Sequence, residues 1–150
     1  MFMHNGAIED FRRRAMRPLR DTLSDEAYSG LLGVTDSETI VAGLLDLMKE
    51  NPADLAGATR ETGRHVTEVC ERLGLRATLN LAVTDGMSMA FTRYSTQGTG
   101  NSPYFIEDAG AFPGAVVVAS ERLGGDTGWR QVPDRHLLMV EEDAASLRPL

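Results

Sequence analysis

Two short stretches of this 150-residue chain place groups that could act on a carbonyl or hold an amine: Asn5-Gly6 and Thr35-Asp36-Ser37-Glu38. Asn-Gly tolerates positive φ, so the apolar run Met1 to His4 is expected to turn sharply at Asn5-Gly6. Such a turn aims backbone N–H groups and the Asn5 side-chain amide at one spot. Those are the parts of an oxyanion hole, whose donors must be fixed before charge develops. On the dipeptide alone, an ordinary tight turn is the better explanation. Thr35 followed three positions later by Glu38 is a capping-box pattern and marks a helix N-terminus. A carboxylate at Asp36 is also suited to receive a substrate ammonium group, although spacing alone does not bring the two stretches together.

Other candidates carry less. Gly86-Met87-Ser88-Met89-Ala90 approximates a nucleophile elbow, but it follows a hairpin signal and leads into a strand, whereas the elbow is a strand-to-helix turn. Gly98-Thr99-Gly100 has no helix after it to supply a phosphate site. His65 and Glu68 stand one helical turn apart without a third ligand, so surface roles suit them better than a metal. His4 and His136 have no evident partner. Cys70 falls on the apolar stripe of a helix, where a cysteine serves as a small buried hydrophobe.

The elements that must position these residues follow from periodicity. Ile8, Phe11, Ala15, Leu19 and Leu23 recur at helical spacing, which predicts a helix over 8–17 that Pro18 kinks or ends. Ser24 caps a short helix that closes at Gly30 to Gly33. A third helix follows Thr35, with Ile40, Val41, Leu44, Leu45, Leu47 and Met48 as its stripe. A fourth spans 54–73. From Ala77 the period becomes two: 78–83 and 87–92 flank Asp85-Gly86 as a hairpin. A polar loop over 95–102 then leads to an edge strand at 103–106. A buried strand over 115–120 and a loop over 121–135 follow. A last clear strand at 137–140 precedes a short one near 146–147. Helices first, then an antiparallel meander, indicate an α+β fold. The N-terminal strand is expected to lack sheet partners, since every other strand lies beyond residue 76.

A net charge of −7 argues against a general affinity for nucleic acid or anionic membranes. The arginines at 12, 13, 14, 17 and 20 alternate with acids, as a solvated helix face does. A single cysteine excludes an internal disulfide and fits a reducing, cytoplasmic setting. No stretch approaches the length and apolarity of a membrane span. One domain is the expectation for this length.

Taken together, the chain resembles the class II glutamine amidotransferases. The resemblance runs in order through Phe2-Met3-His4-Asn5-Gly6-Ala7-Ile8, Thr35-Asp36-Ser37-Glu38, Thr84-Asp85-Gly86 and Thr92-Arg93-Tyr94. It continues through Val117-Val118-Ala119-Ser120-Glu121 and Gly128-Trp129-Arg130-Gln131-Val132-Pro133. It is closest to stand-alone bacterial members such as the ergothioneine-pathway amidohydrolases. It implies an N-terminal-nucleophile hydrolase fold, here a partial αββα sandwich, with residues 1–150 as its C-terminal portion. It also implies that Asn5 and Gly6 form the oxyanion hole and that Asp36, helped by the Gly6 carbonyl, binds the substrate amine. The family's nucleophile is a cysteine at position one of the mature chain, and an arginine and a threonine-containing segment near it clamp the substrate carboxylate. None of these has a counterpart here. The expectations are therefore a glutamine or γ-glutamyl small molecule as ligand, no cofactor, no metal, and no hydrolysis by this chain alone. A separate chain supplying the N-terminal half, or a homo-oligomer, would complete the fold; a non-catalytic γ-glutamyl-binding or assembly module is the alternative. A serine hydrolase acting through Ser88 ranks last.

Overall fold

A computed structural model of the chain describes residues 1–96, 102–125, 127–142 and 144–150. The segment Phe2–Ile8 is extended throughout. Strand β1 (Phe2–Ile8) pairs antiparallel with β2 (Ala77–Thr84), setting Phe2 opposite Val83 and Ile8 opposite Ala77. Two expectations change at once. The strand has a sheet partner, and the chain does not turn at Asn5-Gly6. Alternation decides this: Phe2 and Ile8 both reach the apolar core only if the strand runs straight between them. Tertiary pairing thus overrides the local preference of Asn-Gly for a turn. Reversal comes at Glu9-Asp10, where Asp10 takes φ 49 and the Glu9 N–H reaches the Arg76 carbonyl at 2.8 Å.

A π-helical turn over Phe11–Ala15 runs into α1 (Met16–Arg20), followed by α2 (Asp25–Ser29), α3 (Asp36–Glu50) and α4 (Leu55–Leu73). Pro18 falls inside this continuous helical run and does not end it; the π-helical turn closes three residues before it. Thr35 caps α3 as expected, accepting the Glu38 N–H at 3.2 Å. The Glu38 carboxylate does not complete the box. It accepts the N–H groups of Leu32 and Gly33, each at 2.7 Å, and so ties down the preceding loop. Leu45, expected in the stripe of α3, is 55% exposed.

The remaining strands are β3 (Ser88–Ser95), β4 (Tyr104–Ala109), β5 (Phe112–Ala119), β6 (Arg130–Gln131), β7 (His136–Glu141) and β8 (Ala144–Pro149). They form a five-stranded sheet in the order β1-β2-β3-β7-β8 and a three-stranded sheet in the order β5-β4-β6. The segment expected at an edge, β4, is therefore the centre of the small sheet. The segment expected to be buried, β5, is its half-exposed edge. Hydrophobic runs of this length do not by themselves tell a central strand from an edge. The polar Gly98-Thr99-Gly100 loop lies outside the described residues.

Helices cover one face of the large sheet. Ile8, Phe11, Leu19, Ile40, Val69, Cys70, Leu79 and Leu81 make the larger cluster there, and Leu44, Leu55, Val83 and Leu137 make a second. The small sheet covers part of the other face through Phe91, Phe105, Val132 and Leu138. The result is an α+β arrangement of helices, sheet and sheet: three layers of the expected sandwich. Beside β1 the second sheet gives no cover, and Met3, Asn5 and Ala7 are exposed.

Candidate functional site

Hydrogen-bond parity in β1 determines what each residue offers. Thr84 donates its N–H to the Met1 carbonyl at 2.9 Å, and Glu9 donates to Arg76. With the register fixed between these ends, the odd residues face β2, and His4, Gly6 and Ile8 direct their backbone groups to the open edge. Gly6 is exposed there. Its glycine identity has a steric cause that differs from the positive φ expected from the sequence. A Cβ at this position would stand 1.9 Å from the Thr78 carbonyl oxygen and 2.8 Å from His4 Nε2. Only a residue without a side chain allows so close an approach. Asn5, also exposed, precedes it and lies across from Asn80.

Asp36 comes to the same edge. As the first residue of α3, half-buried, it accepts the Ile8 N–H on Oδ2 at 3.0 Å and the Ser37 N–H on Oδ1 at 2.8 Å. The N-terminal end of a helix also favours a carboxylate electrostatically. Asp36 is therefore brought to the edge strand beside Gly6, 30 positions earlier in the chain, while Asn5, next to Gly6, turns its backbone groups to β2. An open depression of about 370 Å³ begins at Asp36 and is lined also by Asp10, Phe11, Arg12, Arg13 and Thr35. Arg12, on its rim, donates from Nε to the Val34 carbonyl at 3.4 Å.

His4, without a partner in the sequence reading, has two. Its Nδ1 lies 3.0 Å from Ser37 Oγ, and its Nε2 lies 3.1 Å from the Thr78 carbonyl oxygen. The signal for it was present in the spacing: in a strand, residues 4 and 6 share a face. That signal is readable only once the segment is known to be extended.

Other sequence candidates go elsewhere. Cys70 is fully buried, and desolvation raises its thiol to about 11, which removes it as a thiolate nucleophile at neutral pH. Ser88 belongs to the β2–β3 hairpin, where the Asp85 carboxylate accepts the N–H groups of Met87 and Ser88, each at 2.8 Å. Those bonds hold the Asp85 carboxyl below its ordinary range. His65 Nε2 sits 3.1 Å from Thr22 Oγ1, and Glu68 pairs with Arg64, so the two do not converge. His136 donates from Nδ1 to the Asp134 carbonyl at 2.8 Å. Arg93 bridges loops, donating to the Val132 carbonyl at 2.7 Å and to Ser102 Oγ at 3.1 Å. Among the described residues, no three His, Cys, Asp or Glu side chains gather as a metal site requires. A separate groove of about 320 Å³ in the helical layer, between Leu19, Leu23, Ile40, Leu47, Glu61 and His65, shares no residue with the β1 edge.

Comparison with known structures shows what kind of scaffold presents this edge. A glutamine aminotransferase class-II domain protein from Silicibacter pomeroyi superposes with a TM-score of 0.73 at 26% identity, covering 99% of this chain and 66% of that one. The fold is that of the class II amidotransferase domains. The B. subtilis glutamine phosphoribosylpyrophosphate amidotransferase shares it at a TM-score of 0.63 and 16% identity, over 99% of this chain and 28% of its own. In sequence, the chain is 27% identical to the probable glutamine amidotransferase DUG3 of Saccharomyces cerevisiae, over 99% of this chain and 52% of that protein. It is 30% identical to the gamma-glutamyl-hercynylcysteine sulfoxide hydrolase of Mycolicibacterium smegmatis, over 85% of this chain and 49% of that protein. The homologues are thus glutamine amidotransferases and γ-glutamyl hydrolases, and the chain spans about half the length of these curated relatives. No family model matches the chain. Among the described residues, no helix is long and apolar enough to cross a membrane.

Proposed function

We propose that the open edge of β1 is the oxyanion and ammonium end of a site for γ-glutamyl amides. One observation carries this reading: Asp36 takes the Ile8 N–H at 3.0 Å, two residues from Gly6. The carboxylate and the backbone groups of Gly6 therefore share one open edge. In the parent reaction a thiolate attacks the γ-carbonyl carbon and the carbonyl electrons move onto oxygen. The Gly6 N–H and the Asn5 side-chain amide stabilise that oxyanion. The amine leaves with a proton, a thioester remains, and water releases glutamate. Asp36 and the Gly6 carbonyl hold the substrate ammonium. The depression is lined by two acids, Asp10 and Asp36, and two arginines, Arg12 and Arg13, a mixture that suits the zwitterionic head of an amino acid.

The attacking thiolate is the part these 150 residues do not offer, since their only cysteine is the buried Cys70. We place residues 1–150 as the C-terminal portion of a class II amidotransferase-like domain of a cytoplasmic protein. The nucleophile then comes from a part of the relatives that the match does not span, in the same polypeptide or in a partner chain. Without it, the chain binds and does not hydrolyse. A purely binding or assembly module is the second reading, favoured by the same burial of Cys70.

Calorimetry of the chain with L-glutamine and with glutaramic acid, which lacks the α-ammonium group, tests the reading. L-Glutamine should bind at least about tenfold more tightly, as expected for a hydrogen-bonded charge contact. Asp36→Asn should abolish that difference. Equal affinities in the parent chain, or no heat with either compound at millimolar concentration, would contradict the site.

A further inference from the structure

We infer that His4 is a positioning residue that keeps the Ser37 hydroxyl proton away from Asp36, leaving the carboxylate free to take an ammonium group. The inference rests on the reading of Asp36 as an ammonium site and adds a control that acts through two further residues. Its starting point is the Thr78 carbonyl oxygen, 3.1 Å from His4 Nε2. A carbonyl only accepts, so Nε2 carries the ring proton. In the neutral ring Nδ1 is then an acceptor, and Ser37 Oγ, at 3.0 Å, must be its donor.

Ser37 has one hydroxyl proton and two acceptors within reach. The second is Asp36 Oδ1, at 3.5 Å. His4 holds the shorter contact and takes the proton. The carboxylate keeps its two backbone donors, from Ile8 and Ser37, and is spared a third from the hydroxyl. Every extra donor to a carboxylate disperses the charge that a ligand ammonium would otherwise meet. Gly6 takes part in the same arrangement. A side chain there would come within 2.8 Å of His4 Nε2, so the missing Cβ also makes room for the ring. Residues 4 and 6 are in this way coupled across the two ends of the site.

The routing makes an unusual mutational prediction. Removing the ring in His4→Ala leaves Asp36 Oδ1 as the nearest protein acceptor for the Ser37 hydroxyl, and affinity for L-glutamine should fall by about fivefold or more. Affinity for glutaramic acid should not change. Removing the hydroxyl as well, in His4→Ala with Ser37→Ala, should restore most of the loss, and Ser37→Ala alone should bind like the parent. A purely structural bridge between β1 and α3 predicts the opposite: each substitution weakens binding and the double variant is no better than either. If His4→Ala does not fold, Ser37→Ala alone still decides, since a loss comparable to Asp36→Asn would overturn the inference.

Ring ¹⁵N chemical shifts of the ligand-free chain supply the independent arm. They should show His4 protonated on Nε2 and bare on Nδ1; the Nδ1–H tautomer would overturn the inference whatever the ligands do. Should the parent chain fail to distinguish L-glutamine from glutaramic acid, the inference falls together with the ammonium site. An Nε2–H tautomer in that case identifies the ammonium reading, and not the hydrogen-bond routing, as the part that failed.

Discussion

The two faces of the five-stranded sheet are built to different ends. On the helical face Leu79, Leu81 and Leu137 are all but inaccessible and sit among helix side chains that fill the space between layers. On the opposite face, the cover supplied by Phe105 and Val132 reaches Phe91 and Leu138 and stops short of β1. Met3 is 56% exposed although it lies on the same strand as Ile8, which is 5% exposed. One strand thus serves a dry core through Phe2 and Ile8 and an open surface through Met3, Asn5 and Ala7. Stability belongs to the first face. The edge of that strand, where Gly6 and Asp36 meet, is free to do chemistry because packing does not claim it.

Substitutions should separate the two faces by size of effect. Leu79→Ala removes a fully buried side chain and should lower unfolding free energy by about 2–5 kcal/mol in urea denaturation. Met3→Ala on the other face should stay within about 0.5 kcal/mol. Equal costs would erase the distinction. Gly6→Ala comes next, at about 1–3 kcal/mol, because its Cβ meets a backbone oxygen that cannot rotate away. Amide shifts along β1 and β2 should move with it, and an unshifted, equally stable variant would remove the close-approach argument.

A pH dependence probes the dry face itself. Burial raises the Cys70 thiol to about 11, above its unfolded value of about 8.5. The contribution of the neutral buried thiol is fully present below the unfolded value and is lost as pH rises through the folded one. Between pH 9 and 10 the parent should lose about 1 kcal/mol more stability than Cys70→Ala does. Parallel stability curves for the two proteins would mean that the thiol is solvated.

Much of the fold was legible because its signals are local and periodic. The helix after Thr35 and the Asp85-Gly86 hairpin each carry their own boundary chemistry, and both form where the pattern places them. What the sequence could not show was register. Asn5-Gly6 looks like a turn until β2 is known to lie beside it, and the pairing partner is more than 70 residues away. The same gap hid His4, whose contacts to Ser37 and Thr78 exist only across elements. The exchange between β4 and β5, centre for edge, has a similar cause: a Val-rich run announces a strand without saying what will cover it. Asn5, Gly6 and Asp36 could be named from motif chemistry. The edge that Asp36 shares with the backbone groups of Gly6 and Ile8 could not.

The most direct test of that edge is a ¹H–¹⁵N titration of the chain with L-glutamine. Saturable shifts are expected in the amides of His4, Gly6, Ile8 and Ser37, with those of β8 at the far end of the sheet unmoved. Shifts confined to the helical groove around His65, or spread evenly over the chain, would contradict it.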